Sequence, residues 1–463
     1  MVGTWTAWSK NGTKTSEVPA DNGPFHIWYE NGTLQEKGYI RNGYRDSVYE
    51  KYYPSGQIQT KGHYHEGAAT GIWESWYVDG TPMSKVHTQN GLSLFWYPNG
   101  INKEKGMIED GMREGIWRSY YPDSTLKEKT FYFENLIDGE RRFFHKNGKK
   151  NKIVNYNKGL KEGVTKSWHP NGNIEFEGTN KNDSLNGYAK WWYENGNPEM
   201  EGNLINDLQD SVWIFYYENG NKGSRGSFLK GEMHGEWEYW YITGELWKTG
   251  GFHKGKKDGL WTTWYESGQK LQEGLYNNGM PDDYWMNWYD NGQVKDEGAY
   301  RHGEMHGEWK GYFKNGNHRY VINYDIGVKH GENIQYFDGG AIYFEGNYKH
   351  GKLHGNVTYW YGEGLLQEKG KYNNGKRTGT WVFFDKYGVL YKKQQFTDDQ
   401  PDGKIMEYYQ NGSLKMKGKY KNKLQHGIWT YFDKNGKILS KTLWKNGKRE
   451  KVIIDAAAGF VFK

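Results

Sequence analysis

The stretch Gly231–Gly279, GEMHGEWEYWYITGELWKTGGFHKGKKDGLWTTWYESGQKLQEGLYNNG, repeats itself after a shift of 24 residues. Within it, a set of glycine and aromatic residues recurs at the same places: Gly235, Trp237, Trp240, Tyr241 and Gly244 return as Gly259, Trp261, Trp264, Tyr265 and Gly268. A fixed internal period of this length is the signature of a repeat protein, in which every unit is one small supersecondary motif. The unit therefore decides the fold.

The glycine that closes an Asn-Gly-like pair marks the period along the chain. It occurs at Gly12, Gly32, Gly56, Gly80 and Gly100, is replaced by Ser124, and then recurs every 24 residues from Gly148 to Gly436. These positions define 19 units within residues 1–447, and residues 448–463 break the period. We expect a tandem repeat array over 1–447 and a C-terminal cap over 448–463 that covers the edge of the last strand.

Each unit has the pattern of a β-hairpin. In the unit that begins at Gly259, two segments rich in aromatic residues are bounded by Gly, Asn and Ser, and both are too short and too often interrupted by glycine for helices. Asn-Gly pairs supply the positive φ that tight turns require. The sequence predicts an all-β fold, an elongated array of about 19 antiparallel hairpins that forms a twisted, coiled single-sheet ribbon or solenoid.

An aromatic residue stands four positions before the turn glycine in every unit, from Trp8 to Phe432. We expect this column to be the buried core. The mid-strand glycine, for example Gly274, removes a side chain where an aromatic ring from the adjoining strand can lie flat, or it marks a bulge.

Seven positions before the turn glycine, tryptophan alternates with residues such as Arg141 and Asn333, so we expect this position to be partly exposed to water. Because tryptophan is the commonest anchor of protein interfaces, five successive units supply a candidate partner-binding stripe. Its residues are Trp213, Trp237, Trp261, Trp285 and Trp309. The alternative interpretation is that these residues are structural and are covered by the adjacent strand.

Composition excludes several classes of protein. The 463 residues have a net charge of +6 from 62 basic and 56 acidic side chains of interspersed sign, so we expect no nucleic-acid partner. There is no cysteine, which rules out disulfides and thiolate metal sites. No apolar run reaches the roughly 20 residues of a membrane helix, so membrane association is not expected. The compartment is left undetermined by the sequence.

No arrangement of residues indicates chemistry, and we expect no catalytic, cofactor-binding or metal-binding residues and no enzymatic activity. His302 and His306, like His350 and His354, are four apart but straddle a glycine turn, so they are interpreted as turn residues. The residue before the mid-strand glycine is charged in many units, and we interpret it as a ladder of surface charges. Its members include Glu177, Glu201, Glu273, Glu297, Glu345, Lys37, Lys61, Lys105, Lys369 and Lys417.

The unit Glu-Gly-x-Tyr-x-x-Gly-x-x-x-Gly-x-Trp-x-x-Tyr-Tyr-x-Asn-Gly resembles the bacterial variant of the MORN repeat, as strung together in YwqK-like antitoxins. The resemblance extends over most of the chain, from Gly3 to Gly447. It implies a hairpin array that serves as a scaffold or a protein-binding surface. The antitoxin label would imply a toxin partner.

The leading hypothesis is a non-enzymatic repeat scaffold for protein–protein interaction or structural assembly, since regular repetition supplies a long surface without a unique set of titratable groups. The alternative is a glycan-binding or choline-binding array that uses exposed aromatic residues. We also expect the N-terminal strand edge to pair with an upstream repeat, a partner protein or another copy of this chain, the last of which would give end-to-end assembly, because an unpaired edge is a template for another strand.

Overall fold

The computed structural model describes residues 3–456 and the backbone of residues 460–461. The chain divides into two structural units, Met1–Glu232 and Met233–Lys463. From here on, a unit is one of these two, and the 24-residue motif is called a repeat. All regular structure in the described residues is β-strand. The strands of the first unit are β1 Thr4–Trp8, β2 Lys14–Pro19, β3 Gly23–Trp28, β4 Leu34–Arg41, β5 Tyr44–Tyr52, β6 Ile58–His65, β7 Ala68–Trp76, β8 Pro82–His87, β9 Gly91–Trp96, β10 Asn102–Glu109, β11 Met112–Tyr120, β12 Leu126–Phe133, β13 Leu136–Ile137, β14 Gly139–Phe144, β15 Lys150–Asn157, β16 Leu160–Trp168, β17 Ile174–Lys181, β18 Ser184–Leu185, β19 Gly187–Trp192, β20 Pro198–Ile205, β21 Leu208–Tyr216 and β22 Lys222–Leu229.

The second unit has the same organisation. Its strands are β23 Glu232–Trp240, in which the division between units falls, β24 Leu246–His253, β25 Lys256–Trp264, β26 Lys270–Asn277, β27 Met280–Trp288, β28 Val294–Arg301, β29 Glu304–Tyr312, β30 His318–Asp325, β31 Val328–Tyr336, β32 Ile342–Lys349, β33 Lys352–Trp360, β34 Leu366–Asn373, β35 Lys376–Phe384, β36 Leu390–Thr397, β37 Gln400–Tyr408, β38 Leu414–Lys421, β39 Leu424–Phe432, β40 Ile438–Lys445, β41 Lys448–Asp455 and β42 Phe460–Val461.

Within each unit, successive strands pair antiparallel in a simple meander, as in β25 with β26 and β26 with β27. The prediction of an all-β array of antiparallel hairpins is confirmed. Because side chains alternate across a strand, residues three positions apart point to opposite faces of the sheet. The face that carries Trp213, Trp261 and their equivalents is called the indole face here, and the face that carries Glu201, Lys417 and their equivalents is called the charged face.

Two kinds of turn close the hairpins. At one edge, Asn278 and Gly279 have φ of 52° and 87°, the two positive values of a type I′ turn. At the other edge, the amide of Gly268 donates to the carbonyl of Tyr265, and the amide of Tyr265 donates to Gln269. Ser124 occupies the place of this second glycine with φ of 70°, so it adopts a left-handed conformation that a non-glycine residue adopts only at a cost.

The mid-strand glycines make room for the indole rings. Gly274 lies opposite Trp285, and a Cβ added to Gly274 would come within 2.1 Å of the Trp285 ring. The ring lies on the bare backbone, and Nε1 of Trp285 donates a hydrogen bond of 3.0 Å to the carbonyl of Leu275, the residue after the glycine. The same contact recurs at Gly106 with Trp117, Gly202 with Trp213, Gly250 with Trp261, Gly298 with Trp309, Gly370 with Trp381 and Gly418 with Trp429. The sequence predicted that this glycine makes room for a flat ring or marks a bulge. Gly274 does both, because the pairing register also shifts beside it.

Where this mid-strand glycine is absent, the following 24-residue repeat has no tryptophan at the position opposite it. Val154 lies opposite Thr165, Ile322 opposite Asn333 and Gln394 opposite Ile405, and all six side chains are buried. Gly178 and Gly346 precede repeats without the tryptophan, and there Phe176 and Phe344 occupy the space above the glycine. The two positions therefore share one volume, which is filled by one large ring or by two smaller side chains.

The expectation that the column from Trp8 to Phe432 is the buried core is wrong. From Trp28 to Phe432 these residues are half-buried, and Trp8 is exposed. The buried core is the other position, where Trp213 and Trp381 are at most 1% exposed. The reason is that the two positions lie on opposite faces, and only the indole face has glycines against which a ring can lie flat.

The ends of the array differ from its middle. The first strand, β1, pairs with β2 only, and Trp5 is 76% exposed because no glycine-bearing strand precedes it in the described residues. At the other end, β41 pairs with β40 through two register shifts, and β42 pairs with β41. The predicted cap over 448–463 thus supplies two further strands, and its residues 457–459 and 462–463, like Met1 and Val2, lie outside the described residues. Self-association through the N-terminal edge stays a prediction.

We expect Gly274→Val to destabilise the fold by about 1–3 kcal/mol, because the new side chain overlaps the Trp285 ring. Trp285→Thr should cost about 3–5 kcal/mol by leaving a cavity. The double variant copies the natural pair Val154 and Thr165, so its cost should be smaller than the sum by about 1–3 kcal/mol. Urea unfolding of the four proteins, followed by fluorescence, measures this coupling, and strictly additive effects would contradict the shared-volume interpretation.

A second comparison uses two tryptophans of one strand. Trp261 is 4% exposed on the indole face, whereas Trp264 is half-buried on the charged face. We expect Trp261→Ala to cost about 3–5 kcal/mol and Trp264→Ala clearly less. Because repeats are coupled mainly to their neighbours, hydrogen exchange should show lost protection in β24 to β27 and normal protection in β36 to β40. Equal effects of the two substitutions would argue against the assignment of the core.

Candidate functional site

The five tryptophans predicted as a partner-binding stripe are buried. Trp213, Trp237, Trp261, Trp285 and Trp309 are 1–4% exposed. The exposure on which the binding interpretation depends is therefore absent, and the alternative, structural tryptophans covered by the adjacent strand, describes their positions. The physical reason is the glycine contact, which brings each indole down onto the neighbouring backbone.

The indole face is closed by its own side chains. In the second unit, rings alternate edge to face along the sheet with centroid distances of 5.0–6.0 Å and interplanar angles of 76–87°, a favoured aromatic geometry. The series is Phe252, Trp261, Tyr276, Trp285, Tyr300 and Trp309.

Cations cover several of these rings. Nζ of Lys257 lies 4.2 Å from the Trp261 centroid and 4.5 Å from that of Tyr276, and the guanidinium of Arg113 lies 4.0 Å from the Trp117 ring. Burial lowers the pKa of Lys257. This face therefore leaves little ring surface for a partner.

Consecutive hairpins are also tied together by hydrogen bonds across the turns. The hydroxyl of Tyr241 donates to the carbonyl of Trp264 at 2.8 Å, and that of Tyr265 donates to the carbonyl of Trp288 at 3.0 Å. In the first unit, Nε2 of His145 lies 2.7 Å from the carbonyl of Trp168 in the equivalent contact. These bonds fix the spacing between consecutive hairpins, so side chains on the charged face are presented at regular intervals.

A single line of cross-strand neighbours, here called the central row, runs along the charged face of each unit. In the first unit its leading members alternate in sign, and their ion pairs span adjacent strands at 2.8–3.4 Å: Lys37 with Glu50, Glu50 with Lys61, and Glu74 with Lys85. Lys105, Arg118, Lys129 and Arg142 then follow as a run of cations, and Lys166, Glu177, Lys190 and Glu201 alternate in sign again further along. The predicted ladder of surface charges is this row.

The best-connected carboxylate of the row is Glu201. It accepts hydrogen bonds from the hydroxyls of Tyr188 and Tyr216 at 2.6 and 2.7 Å and lies 2.7 Å from Nζ of Lys190. Burial raises the pKa of Glu201, but the contacts with Lys190, Tyr188 and Tyr216 outweigh burial and lower this pKa to about 2. Similarly, the hydrogen bonds from Lys37 and Tyr52 lower the pKa of Glu50 to about 2. These groups stay ionised at any ordinary pH.

Beside the central row lies a line of positions, eight before the turn glycine, that hold exposed apolar side chains in about half of the hairpins and polar residues such as Glu140 and Glu308 in others. Tyr188 is 56% exposed, and Leu260 and Tyr284 are 54% and 50% exposed. Further members are Val48, Ile72, Leu92, Ile116, Val164, Val212 and Ile428. The half-buried aromatic column lies on the other side of the row. The charged face thus offers charged, apolar and aromatic side chains in parallel lines.

The sign of the central row changes along the second unit. Up to β32 the row holds Glu273, Glu297 and Glu345 with one cation, Lys310, among them, and from β34 to β40 it holds Lys369, Lys393, Lys417 and Lys441. The expectation of interspersed charges is therefore wrong for β34 to β40. Lys393 and Lys441 escaped the sequence pattern because Gln394 and Thr442 replace the glycine that marks the position.

The histidines lie at the turn edge. His302 and His350 have φ of 53° and 50° at the first position of type I′ turns, as the sequence interpretation requires. His306 and His354 follow on the next strands, β29 and β33. Within the part of the chain that the structure describes, no group of three or more His, Asp or Glu side chains is arranged to hold a metal ion. The same residues form no apolar helix of membrane-spanning length.

The protein is a β-hairpin repeat array, because its strands form an open antiparallel meander in which successive hairpins repeat the contact between glycine and tryptophan. The family model described as the MORN repeat variant matches the chain at nine places. The matched residues are 45–66, 113–135, 137–158, 161–182, 185–206, 257–278, 305–325, 401–422 and 425–446. No curated protein sequence matches the chain.

Solved structures give only remote similarity. A crystal structure of TcdB2-TccC3-Cdc42 is 10% identical with a TM-score of 0.13, over 95% of this chain and 27% of the other. The Photorhabdus luminescens Tc holotoxin pore with the TccC3 D651A mutation is 9% identical with a TM-score of 0.14, over 96% of this chain and 30% of the other. The chain thus spans less than a third of the length of these proteins, and the similarity supports no inference.

We expect the stabilisation by Glu201 to depend on pH. Since its pKa in the fold is about 2, below the ordinary value of 4.5, its stabilising contribution is complete above about pH 4.5 and is lost as the pH falls towards 2. Glu201→Gln should therefore be less stable than the parent protein at pH 7, by at most about 3 kcal/mol, and equally stable near pH 2. Denaturant unfolding between pH 7 and 2 measures the difference.

Glu177→Gln is the matched control, because Glu177 lies on the same row with one ion pair, to Lys166, and is 42% exposed. Its effect should be small at all pH values. A difference for Glu201→Gln that persists unchanged to pH 2 would mean that shape and not charge accounts for it.

Proposed function

We propose that this protein is a non-enzymatic repeat scaffold that binds another protein along its charged face. The observation on which the proposal depends is the difference between the two faces. The indole face is occupied by its own rings and cations, whereas the charged face repeats an exposed apolar side chain beside a charged row in successive hairpins. Repeat proteins bind through such regular, extended surfaces, and the hairpin contacts hold this one in a fixed register.

The partner is a protein because the face combines apolar and charged groups in parallel lines. Leu260 and Tyr284 are about half exposed although the fold does not require an apolar residue there, since Glu308 and Glu332 occupy the equivalent place in the next two hairpins. Exposed apolar side chains rimmed by polar groups are typical of protein interaction sites.

The alternative of a glycan-binding or choline-binding array has less support. Such a site needs open aromatic faces, but the aromatic column is half-buried and lysines already lie over several of its rings. Nζ of Lys190 lies 5.5 Å from the Trp192 centroid, and that of Lys270 lies 5.5 Å from that of Trp288. A sugar or a quaternary ammonium group would have to displace these cations.

The resemblance to bacterial YwqK-like antitoxins suggests one class of partner, a toxin whose activity is blocked when it binds. Under this proposal the charged face is the surface that a toxin would contact.

A photo-crosslinking experiment tests the scaffold function. Benzoylphenylalanine is placed at Leu260 or Tyr284 on the charged face, and at Lys254 on an exposed type I′ turn as the control. We expect both charged-face positions to give the same protein adduct in cells of the source organism, and the control to give none. The adduct is identified by mass spectrometry, and the purified partner should bind the parent protein more tightly than a Leu260→Ser, Tyr284→Ser variant.

Adducts of carbohydrate at these positions would favour the ligand-binding array. A partner that binds the Leu260→Ser, Tyr284→Ser variant as well as the parent protein would place the interface elsewhere and overturn the proposal.

A further inference from the structure

The central paired positions of the charged face in the last hairpins hold no acidic residue. From β33 to β40, four paired positions in each of four hairpins form this part of the face, and none of the sixteen residues is Asp or Glu. Seven of them are lysines, here called the C-terminal lysine face: Lys369, Lys371, Lys393, Lys404, Lys417, Lys419 and Lys441. Among the described residues, no ion pair involves any of the seven.

Several earlier hairpins neutralise the same positions, although Lys105, Arg118, Lys129 and Arg142 are successive cations of the central row. Lys190 and Glu201 lie opposite each other in the first unit and form an ion pair of 2.7 Å. On the C-terminal lysine face the equivalent opposite pairs are Val382 with Lys393 and Met406 with Lys417, and Lys404 lies directly opposite Lys419. Like charges placed opposite each other in a sheet are destabilising. A bound anionic partner would remove this repulsion.

A groove lies among these lysines. Its volume is about 500 Å³, and its lining includes the apolar side chains of Met406, Ile428, Phe432 and Ile438. Four lysines of this face also line it: Lys404, Lys417, Lys419 and Lys441. The groove therefore combines apolar and cationic side chains, which matches a partner that is apolar and acidic at once.

We propose that the C-terminal lysine face binds an extended acidic segment of a partner protein that carries carboxylates and apolar side chains on the same side. This inference rests on the scaffold function proposed above and names the chemistry of its partner. Lys417 and Lys419 stand two residues apart on one strand, so they are separated by about 6.8 Å, which is also the spacing of side chains on one side of an extended peptide. Two carboxylates on that side reach the two lysines, and an apolar side chain further along the same side enters the groove.

A nucleic acid fits this face less well. Binding of single strands uses aromatic rings on which bases stack, and the rings here are covered by lysines. Nζ of Lys393 lies 6.0 Å from the Tyr408 centroid, and Nζ of Lys417 lies 5.7 Å from the Phe432 centroid. The aliphatic side chains of Ile428 and Met406 in the groove lining offer no stacking surface either.

Fluorescence anisotropy with the full chain tests the proposal. The probe, here called the Glu-Leu peptide, is fluorescein-labelled (Glu-Ser-Glu-Ser-Leu-Ser)2, which carries its Glu and Leu side chains on one side when extended. It is compared with a Lys-Leu peptide in which Lys replaces Glu, a Glu-Ser peptide in which Ser replaces Leu, and the oligonucleotide dT12. We expect saturable binding of the Glu-Leu peptide that weakens with salt, at least about fivefold weaker binding of the Glu-Ser peptide because it lacks apolar side chains, and no binding of the Lys-Leu peptide.

Two double variants with the same charge change localise the site. Lys417→Gln with Lys441→Gln should weaken binding of the Glu-Leu peptide about tenfold or more. The control is Lys105→Gln with Lys129→Gln, which removes two lysines from the central row of the first unit and should leave binding within about twofold. Circular dichroism spectra and unfolding midpoints show whether both variants fold.

Three results would overturn the proposal. Equal losses in the two variants would mean that binding follows net charge alone. Tighter binding of dT12 than of the peptide, lost in the Lys417→Gln, Lys441→Gln variant, would make the face a nucleic-acid site. Sedimentation that shows the chain pairing with itself at low salt, with the peptide excluded, would make a second copy the occupant.

The outcome is separable from that of the scaffold experiment. If crosslinking at Leu260 and Tyr284 identifies a protein partner while the Glu-Leu peptide does not bind, the scaffold function stands and the acidic-segment inference fails. If the peptide binds at Lys417 and Lys441 while the crosslinks and the purified proteins show no partner, the scaffold function fails instead.

Discussion

Contact between an indole ring and a backbone without a Cβ is the interaction on which this structure depends. A lone antiparallel sheet has no second layer to bury its side chains, and chains of this kind usually need one. Here the missing layer is supplied by tryptophans that lie flat on the neighbouring strand, as Trp285 does on Gly274, with Nε1 satisfied by the carbonyl of Leu275. The glycine leaves space above the backbone, the indole ring fills this space, and tyrosines pack edge to face against the ring.

The same contact separates structural from functional roles. Because the rings, glycines and cations of the indole face pack against one another, the fold makes few demands on the charged face, where one repeated position holds Leu260, Tyr284 or Glu308. Sequence variation there costs little stability. The proposed partner surface and the change from glutamate to lysine along the central row are both found on the face that is free to vary.

Much of the fold could be predicted from the sequence, because the period, the Asn-Gly turns and the short aromatic segments are local signals. Burial could not be predicted in the same way. Trp261 and Trp264 are three residues apart and so lie on opposite faces, and in a sheet without a second layer neither face is marked as the interior by periodicity. The constant aromatic column suggested a core, but the core is the variable position seven before the turn glycine. Its residue changes together with the residue 11 positions earlier, because the two side chains share one buried volume. The charged face required the register, since Lys393 and Lys441 become neighbours of Val382 and Thr430 only once the strands are paired.

The glycine and its tryptophan belong to successive repeats, and this has a consequence for how the gene can change length. Gain or loss of a whole 24-residue segment, wherever it starts, keeps each glycine position 11 residues before a tryptophan position, whichever repeats are joined. Such events are tolerated among repeats of the Gly274 and Trp285 kind. They are not tolerated where Ile322 would come to precede a tryptophan, because the ring would have no space. Repeats such as those around Ile322 and Val154 therefore act as boundaries within which recombination can lengthen or shorten the array.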